Sequence, residues 1–316
     1  MWGAAGREGT ARAGDNVPWN AHFRVGSITK TFTATVALQL ADEGTLSLDD
    51  TVEQWLPGAV SGHGNDASRI TLTNLLRQTS GLNDYDEDLP WVADFTAAAF
   101  TAQRFRVHRP EELIAWAASA PPQWQPGPEN PSAFPGDQDL VDTSVFVPLP
   151  DASVISTAAD LTTFYRVLLG GDLLPPHRLA QMRQTVEAPD MADPAPGARY
   201  GLGTHWRPAQ GCEHGIRYHG GTMPGYLSHL AVTPDGRRAV AVSATTWRPG
   251  DERQDQQDAA SLQLADKTPC ARTRHHRADP DPGPTAGSTA NPQPPREPSR
   301  TAARSPSPVR LDLKCT

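Results

Sequence analysis

The sequence predicts an α+β or layered α/β/α domain, an antiparallel sheet flanked by helices. Two observations predict it. Helical patterns fill the first part and the middle of the chain, and a strand–turn–strand pattern lies near residue 235.

The first helix follows Ser27. Ile28, Phe32, Val36 and Leu40 recur every four residues, which places them on one face, and Asp42 and Glu43 precede Gly44, a natural stop. Residues 71–79 read as a short helix ending at Ser80-Gly81. A third helix over 110–119 opens with Pro110, Glu111 and Glu112, which suit a first turn. A fourth follows Ser156-Thr157, with Asp160 three residues beyond Thr157. Leu161, Phe164 and Leu168 line its face, and Gly170-Gly171 ends it. Strands over 226–233 and 238–245 flank Pro234-Asp235-Gly236, turn chemistry at a hairpin joint. A shorter strand over 215–219 precedes them, and a last helix covers 252–266. Between residues 127 and 151 no helical period holds and prolines are frequent, an unusual stretch inside a compact body.

Composition bounds the rest. At 316 residues the chain holds two average domains or one large one. Residues 271–316 contain nine prolines, eight basic and four acidic residues and no aromatic one. Such a segment buries too little apolar surface to offset its chain entropy, and it reads as a disordered tail. It is either a plain flexible extension or an Arg- and Pro-rich binding segment. The tail carries +4 of a net −8, which leaves −12 on residues 1–270 and argues against a nucleic-acid partner. No run of 18 apolar residues exists, so no membrane span is expected. Residues 1–18 lack the apolar core of a signal peptide. The three cysteines allow one pair and one left over, and no Cys-x-x-Cys suggests a metal site. Cys212, His214 and His219 fit no common zinc spacing.

Of 28 basic residues only three are lysine: Lys30, Lys267 and Lys314. Lys30 stands three residues after Ser27, on the same side of the first helical turn. A serine hydroxyl needs a base to become a nucleophile, and a lysine whose proton is lost through burial or nearby cations can be that base. Arginine cannot, because it does not deprotonate. The helix start also offers N–H groups where an oxyanion would form. The other reading of the pair is an N-capping serine with a surface lysine. A second signal is Tyr218-His219-Gly220-Gly221-Thr222 at a strand end. Adjacent glycines let backbone approach a ligand closely, and Thr222 offers a second oxyanion N–H. His219 is a candidate contact for a leaving group or a substrate carboxylate; the other reading is a structural histidine in a glycine-rich connection. No G-x-S-x-G elbow and no phosphate-binding glycine loop is present.

These signals and their flanks occur in a fixed order: FRVGSITKTFTATVALQLADEGTLSLDDTVEQWLP, ITLTNLLRQTSGLNDY, PPQWQPG, VISTAADLTTFYRVLLGG, YGLGTHW and YHGGTMPGYLSHLAVTPDGRRAVAVSATT. Together they resemble the serine beta-lactamase fold family, and within it the D-alanyl-D-alanine carboxypeptidases, class C beta-lactamases and related esterases. The resemblance covers most of residues 17–270. It implies one hydrolase domain over 1–270 with a reduced helical subdomain, and an acyl-enzyme mechanism without metal or cofactor. Ser27 would be the nucleophile and Lys30 its base. His219, Gly220 and Gly221 would be the third motif, with Ser27 and Thr222 supplying the oxyanion hole. Cys212 and Cys270 would pair, with Cys315 free in the tail. The implied substrate is a peptidoglycan peptide, a beta-lactam or an ester, and the implied location is extracytoplasmic.

Two departures accompany the resemblance. The family carries Tyr-x-Asn shortly after a Pro-Gly, whereas Pro126-Gly127 is followed by PENPSAFPG, and no tyrosine lies between Tyr85 and Tyr165. That tyrosine is the family's proton relay, a role worth roughly 10²–10⁴-fold. Asn130 is not assigned the motif's role, and the stretch reads as an internal deletion. The chain also starts late: residues 2–7 resemble the second sheet strand, and the first strand is expected to be absent. The expectation is therefore a serine hydrolase cleaving an amide or ester, or an impaired relative that only binds such ligands.

Overall fold

The computed structural model describes residues 20–85, 108–127, 153–187, 197–223, 226–244, 252–267 and 269–270. The expectations for residues 2–7, for the irregular stretch beyond residue 127, for the tail and for Cys315 fall outside them.

In chain order, β1 (Phe23–Arg24) leads through a 3-10 turn (Gly26–Ile28) into α1 (Thr29–Asp42). Then come α2 (Val52–Trp55), β2 (Ser61–Gly62), β3 (Asn65–Asp66), α3 (Leu72–Arg77) and α4 (Pro110–Ala117). β4 (Ile155–Ser156), α5 (Ala158–Gly170) and α6 (Pro176–Arg183) follow. The main sheet is β5 (Val186–Glu187), β6 (Arg199–Tyr200), β7 (His205–Ala209), β8 (Cys212–Met223), β9 (Tyr226–Val232) and β10 (Ala239–Ala244), and α7 (Glu252–Lys267) closes the described fold. The six strands lie in the order β10-β9-β8-β7-β6-β5, each antiparallel to its neighbours.

Alternate residues of a strand face opposite sides of a sheet. On β9, Leu230 and Val232 join Val25, Ile28, Leu38, Leu161 and Leu168 in the main core under α1 and α5. Ala231 between them packs with Ile216, Tyr218 and Ala265 under α7. The sheet is thus covered on both faces, and the α+β expectation holds in its layered form. The β9–β10 hairpin forms at the expected turn: Thr233 N donates to Arg238 O at 2.9 Å and Gly236 N to Thr233 O at 2.8 Å. Asp235 is fixed there by the Thr233 hydroxyl and the Arg237 N–H, both of which hold its carboxyl below the usual value.

Helix starts follow local chemistry. Thr157 accepts from Asp160 N at 3.1 Å, as its spacing suggests. Thr51 with Gln54 and Thr71 with Asn74 form capping boxes on α2 and α3. These short helices and α4 gather around Val52, Val60, Ala67, Ile70, Leu82 and Ala118, a second small core.

Several elements differ from the sequence reading: α2 and β1–β7 have no counterpart in it, β8 is longer than the expected 215–219, and α1 and α6 depart for reasons the packing shows. The buried face of α1 is not Phe32-Val36-Leu40, which are only half-buried, but Thr31, Ala34, Thr35, Leu38 and Ala41. The reason is a close approach by the turn before β7. Gly203 has φ +68°, and a Cβ there would lie 2.6 Å from Ala34 Cβ and 2.7 Å from Lys30 O. Small residues admit the turn, and Thr31 Oγ1 meets it by donating to Gly203 O at 2.5 Å. Phe32 instead stacks on Phe164, with ring centroids 3.7 Å apart. The helix α6 has no counterpart in the sequence reading because only Leu179 and Met182 of its eight residues are buried apolar side chains, too few to set a period.

Candidate active site

Three backbone segments meet at the start of α1. β1 pairs with β4, and Val25 N donates to Val154 O at 3.0 Å. The end of β8 crosses the turn that follows. Gly26 has φ +56°, and a Cβ on it would lie 2.8 Å from Thr222 N. A Cβ on Gly221 would overlap Val25 O. Ser228, opposite Gly221 on β9, donates its hydroxyl to Val25 O at 3.0 Å. Glycine on both sides is what lets the third-motif strand touch the turn that carries Ser27.

Ser27 is buried in that turn and Lys30 is buried one turn further, on α1. Lys30 Nζ and Ser27 Oγ are 2.9 Å apart. The capping alternative does not describe this serine: α1 has no side-chain cap, and the lysine is 5% exposed. The contact serves either protonation state. An ammonium donates to the hydroxyl oxygen, and a neutral amine accepts the hydroxyl proton.

Behind Lys30 lies a cluster of rings. His219 is buried, with Nδ1 2.6 Å from Gly220 O and Nε2 3.2 Å from Tyr200 Oη. A carbonyl only accepts, so Nδ1 carries a proton, and Nε2 shares its hydrogen bond with the tyrosine hydroxyl. The ring nitrogens of the expected third-motif histidine are both engaged inside the protein. His205 packs between these groups, its ring 4.5 Å from Tyr200, 4.7 Å from Tyr218 and 5.0 Å from His219. Burial first, then His219, Arg207 and Lys30, hold its imidazole well below the usual range. Its Nδ1 has no hydrogen-bond partner among the described residues. Arg207 sits 4.1 Å over the Tyr218 ring and pairs with Asp266 on α7. Tyr200 and His205 were not singled out in the sequence. Their signal was the Tyr-Gly-Leu-Gly-Thr-His run, whose glycines turn β6 into β7 and set the two rings side by side.

Cys212, at the start of β8, is bonded to Cys270 just beyond α7, with Cα atoms 5.2 Å apart. That consumes its thiol, which removes it as a ligand beside His214 and His219. Helix α7 is further tied by His229 Nε2, 2.5 Å from Asp258 Oδ1. Among the described residues no helix is long and apolar enough to cross a membrane.

Comparisons with known proteins bear on the family and the fold. The beta-lactamase family matches residues 2–130 and 128–265, two segments that meet where the sequence pattern breaks. A Lysobacter lactamgenus beta-lactamase is 28% identical over 246 residues, 76% of this chain and 54% of its own length. Penicillin-binding protein 4 of Amycolatopsis lactamdurans is 42% identical over 60 residues, 19% of this chain and 16% of its own. The chain thus spans about half, or less, of the length of these curated relatives. Among solved structures, a D-stereospecific amidohydrolase from Streptomyces sp. aligns with TM-score 0.62 and 31% identity, over 78% of this chain and 86% of that one. The D-amino acid amidase of Ochrobactrum anthropi SV3 shares the fold, with TM-score 0.58 and 17% identity over 80% and 84% of the two chains. With the family matched over most of its length, the chain belongs to the serine beta-lactamase family.

Proposed function

We propose that the protein hydrolyses an amide or ester through an acyl-enzyme on Ser27, with Lys30 as the base. The observation that carries the reading is the 2.9 Å contact between Lys30 Nζ and Ser27 Oγ, buried beside the Gly221-Thr222 strand. Neutral Lys30 takes the Ser27 proton as Oγ adds to the carbonyl carbon. The oxyanion forms between the N–H groups of Ser27 and Thr222, fixed donors that need no reorganisation. Collapse breaks the scissile bond, and the leaving amine or alcohol takes the proton from the Lys30 ammonium. Water then cleaves the ester by the same steps in reverse order. No tyrosine stands between Tyr85 and Tyr165, so Lys30 carries the proton in both directions. The resemblance to amidohydrolases, a beta-lactamase and penicillin-binding proteins supports a D-amino-acid amide, a D-Ala-D-Ala-type peptide, a beta-lactam or an ester as substrate.

The test is intact-mass labelling with a fluorophosphonate and with a penicillin, for the wild type and for Ser27→Ala. One adduct on the wild type and none on the variant is expected. A wild type that melts cooperatively yet forms no adduct would instead mark a binding remnant, the reading that the lost tyrosine favours.

A further inference from the structure

We propose that Ser228 is a positioning residue of the oxyanion hole: its single hydroxyl proton ties together the two backbone segments that carry the Ser27 and Thr222 N–H donors. The inference rests on the acyl-enzyme reading and deepens it, because Ser228 acts through the backbone rather than on the substrate.

An oxyanion hole lowers a barrier only if its donors are held in place before the charge forms. Here the two donors come from segments far apart in the chain, so one must be fixed against the other. Ser228 lies on β9 opposite Gly221 of β8. It follows the alternation of Leu230 and Val232, which places it on the face of the sheet toward Val25 and Ile28. Its hydroxyl oxygen is 3.0 Å from Val25 O and 3.2 Å from Gly221 O. A hydroxyl has one proton, so the two carbonyls share it in a three-centre bond. Each carbonyl leads to a donor. Gly221 O and Thr222 N belong to one planar peptide, so the N–H cannot turn unless the carbonyl turns with it. A proton donated to that carbonyl also polarises the peptide and makes its N–H a better donor. Val25 O belongs to the peptide entering Gly26, whose φ of +56° sets the turn, and Ser27 N follows one residue later. Ser228 is 1% exposed, so bulk water does not compete for its proton. The same packing accounts for the glycine opposite: a Cβ on Gly221 would lie 2.9 Å from Ser228 Oγ and would overlap Val25 O. The third-motif strand gives up a side chain at 221, and the neighbouring strand sends a hydroxyl into that space.

The experiment follows acylation of the full chain by a penicillin and by a fluorophosphonate, read as intact mass against time. The wild type is compared with Ser228→Ala, Ser228→Cys and Ser228→Thr, and a thermal melt is run on each. Displacing an oxyanion donor costs less than removing one, which slows reaction by roughly 10²–10³-fold. Ser228→Ala is therefore expected to lower the limiting rate of labelling by about 10–100-fold. The probe concentration at half that rate should stay within about twofold, since the lost interaction belongs to the transition state. Labelling should still reach completion. Ser228→Thr keeps the hydroxyl and restores most of the rate, and Ser228→Cys, a weak donor of similar size, falls between. Should Ser228→Ala fail to melt cooperatively, the Thr and Cys variants carry the same comparison. Variants that melt as the wild type does and label at its rate overturn the inference and leave the acyl-enzyme reading standing. So does a loss confined to the fraction of chains that label, at an unchanged rate per labelled chain, which is the mark of a purely structural role. A folded wild type that forms no adduct with either probe removes both.

Discussion

At the scale of single residues, His205 marks how dry the site is. It is 6% exposed, and burial dominates the downward shift of its imidazole below the ordinary 6.5. In the unfolded chain the ring takes a proton near that value, while in the folded protein it stays neutral to lower pH. Below 6.5 the unfolded state therefore binds more protons, and stability falls as pH falls. Thermal melts from about pH 8 to about pH 5 are expected to show a declining midpoint, with a shallower decline in His205→Gln. An equal decline in the variant would assign the effect to other groups. The Ser27–Lys30 pair was legible in the sequence because both members sit on one helical turn, where spacing fixes distance. The Tyr200–His219 pair was not, because 19 residues separate its members and only the β6–β7–β8 register brings them together.

At the scale of elements, α1 does two jobs that compete. Its start must hold Ser27 and Lys30, and its buried face must also pack against α5 and the sheet. Polar Thr31 and Thr35 are affordable in that face because each is bonded: Thr31 to Gly203 O and Tyr165, Thr35 to Thr31 O at 2.7 Å. Leu38, fully buried, supplies apolar anchoring further along the helix. Leu38→Ala is expected to cost about 2–5 kcal/mol in urea unfolding through the cavity it leaves. The folded fraction should still label at Ser27, three turns away. A near-zero cost would mean that α1 is not held by this face. The four-residue rhythm of Ile28, Phe32, Val36 and Leu40 misled because a helix covered on several sides has no single apolar stripe.

At the scale of the whole molecule, α7 clamps the outer face of the sheet. The Cys212–Cys270 bond ties its end to the start of β8, and Asp258 and Asp266 pair with His229 and Arg207 on β9 and β7. Residues 58 apart are joined, and the loss of chain entropy in the unfolded state is worth about 4 kcal/mol in the loop-closure account. Reduction, or the double substitution of Cys212 and Cys270 by serine, is expected to lower the melting temperature of the full chain markedly. An unchanged melt would show that the Arg207–Asp266 and His229–Asp258 contacts and the packing of α7 hold the sheet alone.

The sequence by itself determined what is local or ordered along the chain: the hairpin at Pro234-Asp235-Gly236, the capped start of α5, the Ser-x-x-Lys turn and the succession of blocks that marks the family. Short-range hydrogen bonds and helical spacing encode these, so neighbours in sequence suffice to read them. Only the tertiary structure decided which face of α1 is buried, where Gly221 meets Gly26, and how Tyr200 and His205 enclose His219. Those relations depend on strand register and on close backbone approach across the sheet. A one-residue slip would turn every side chain to the other face.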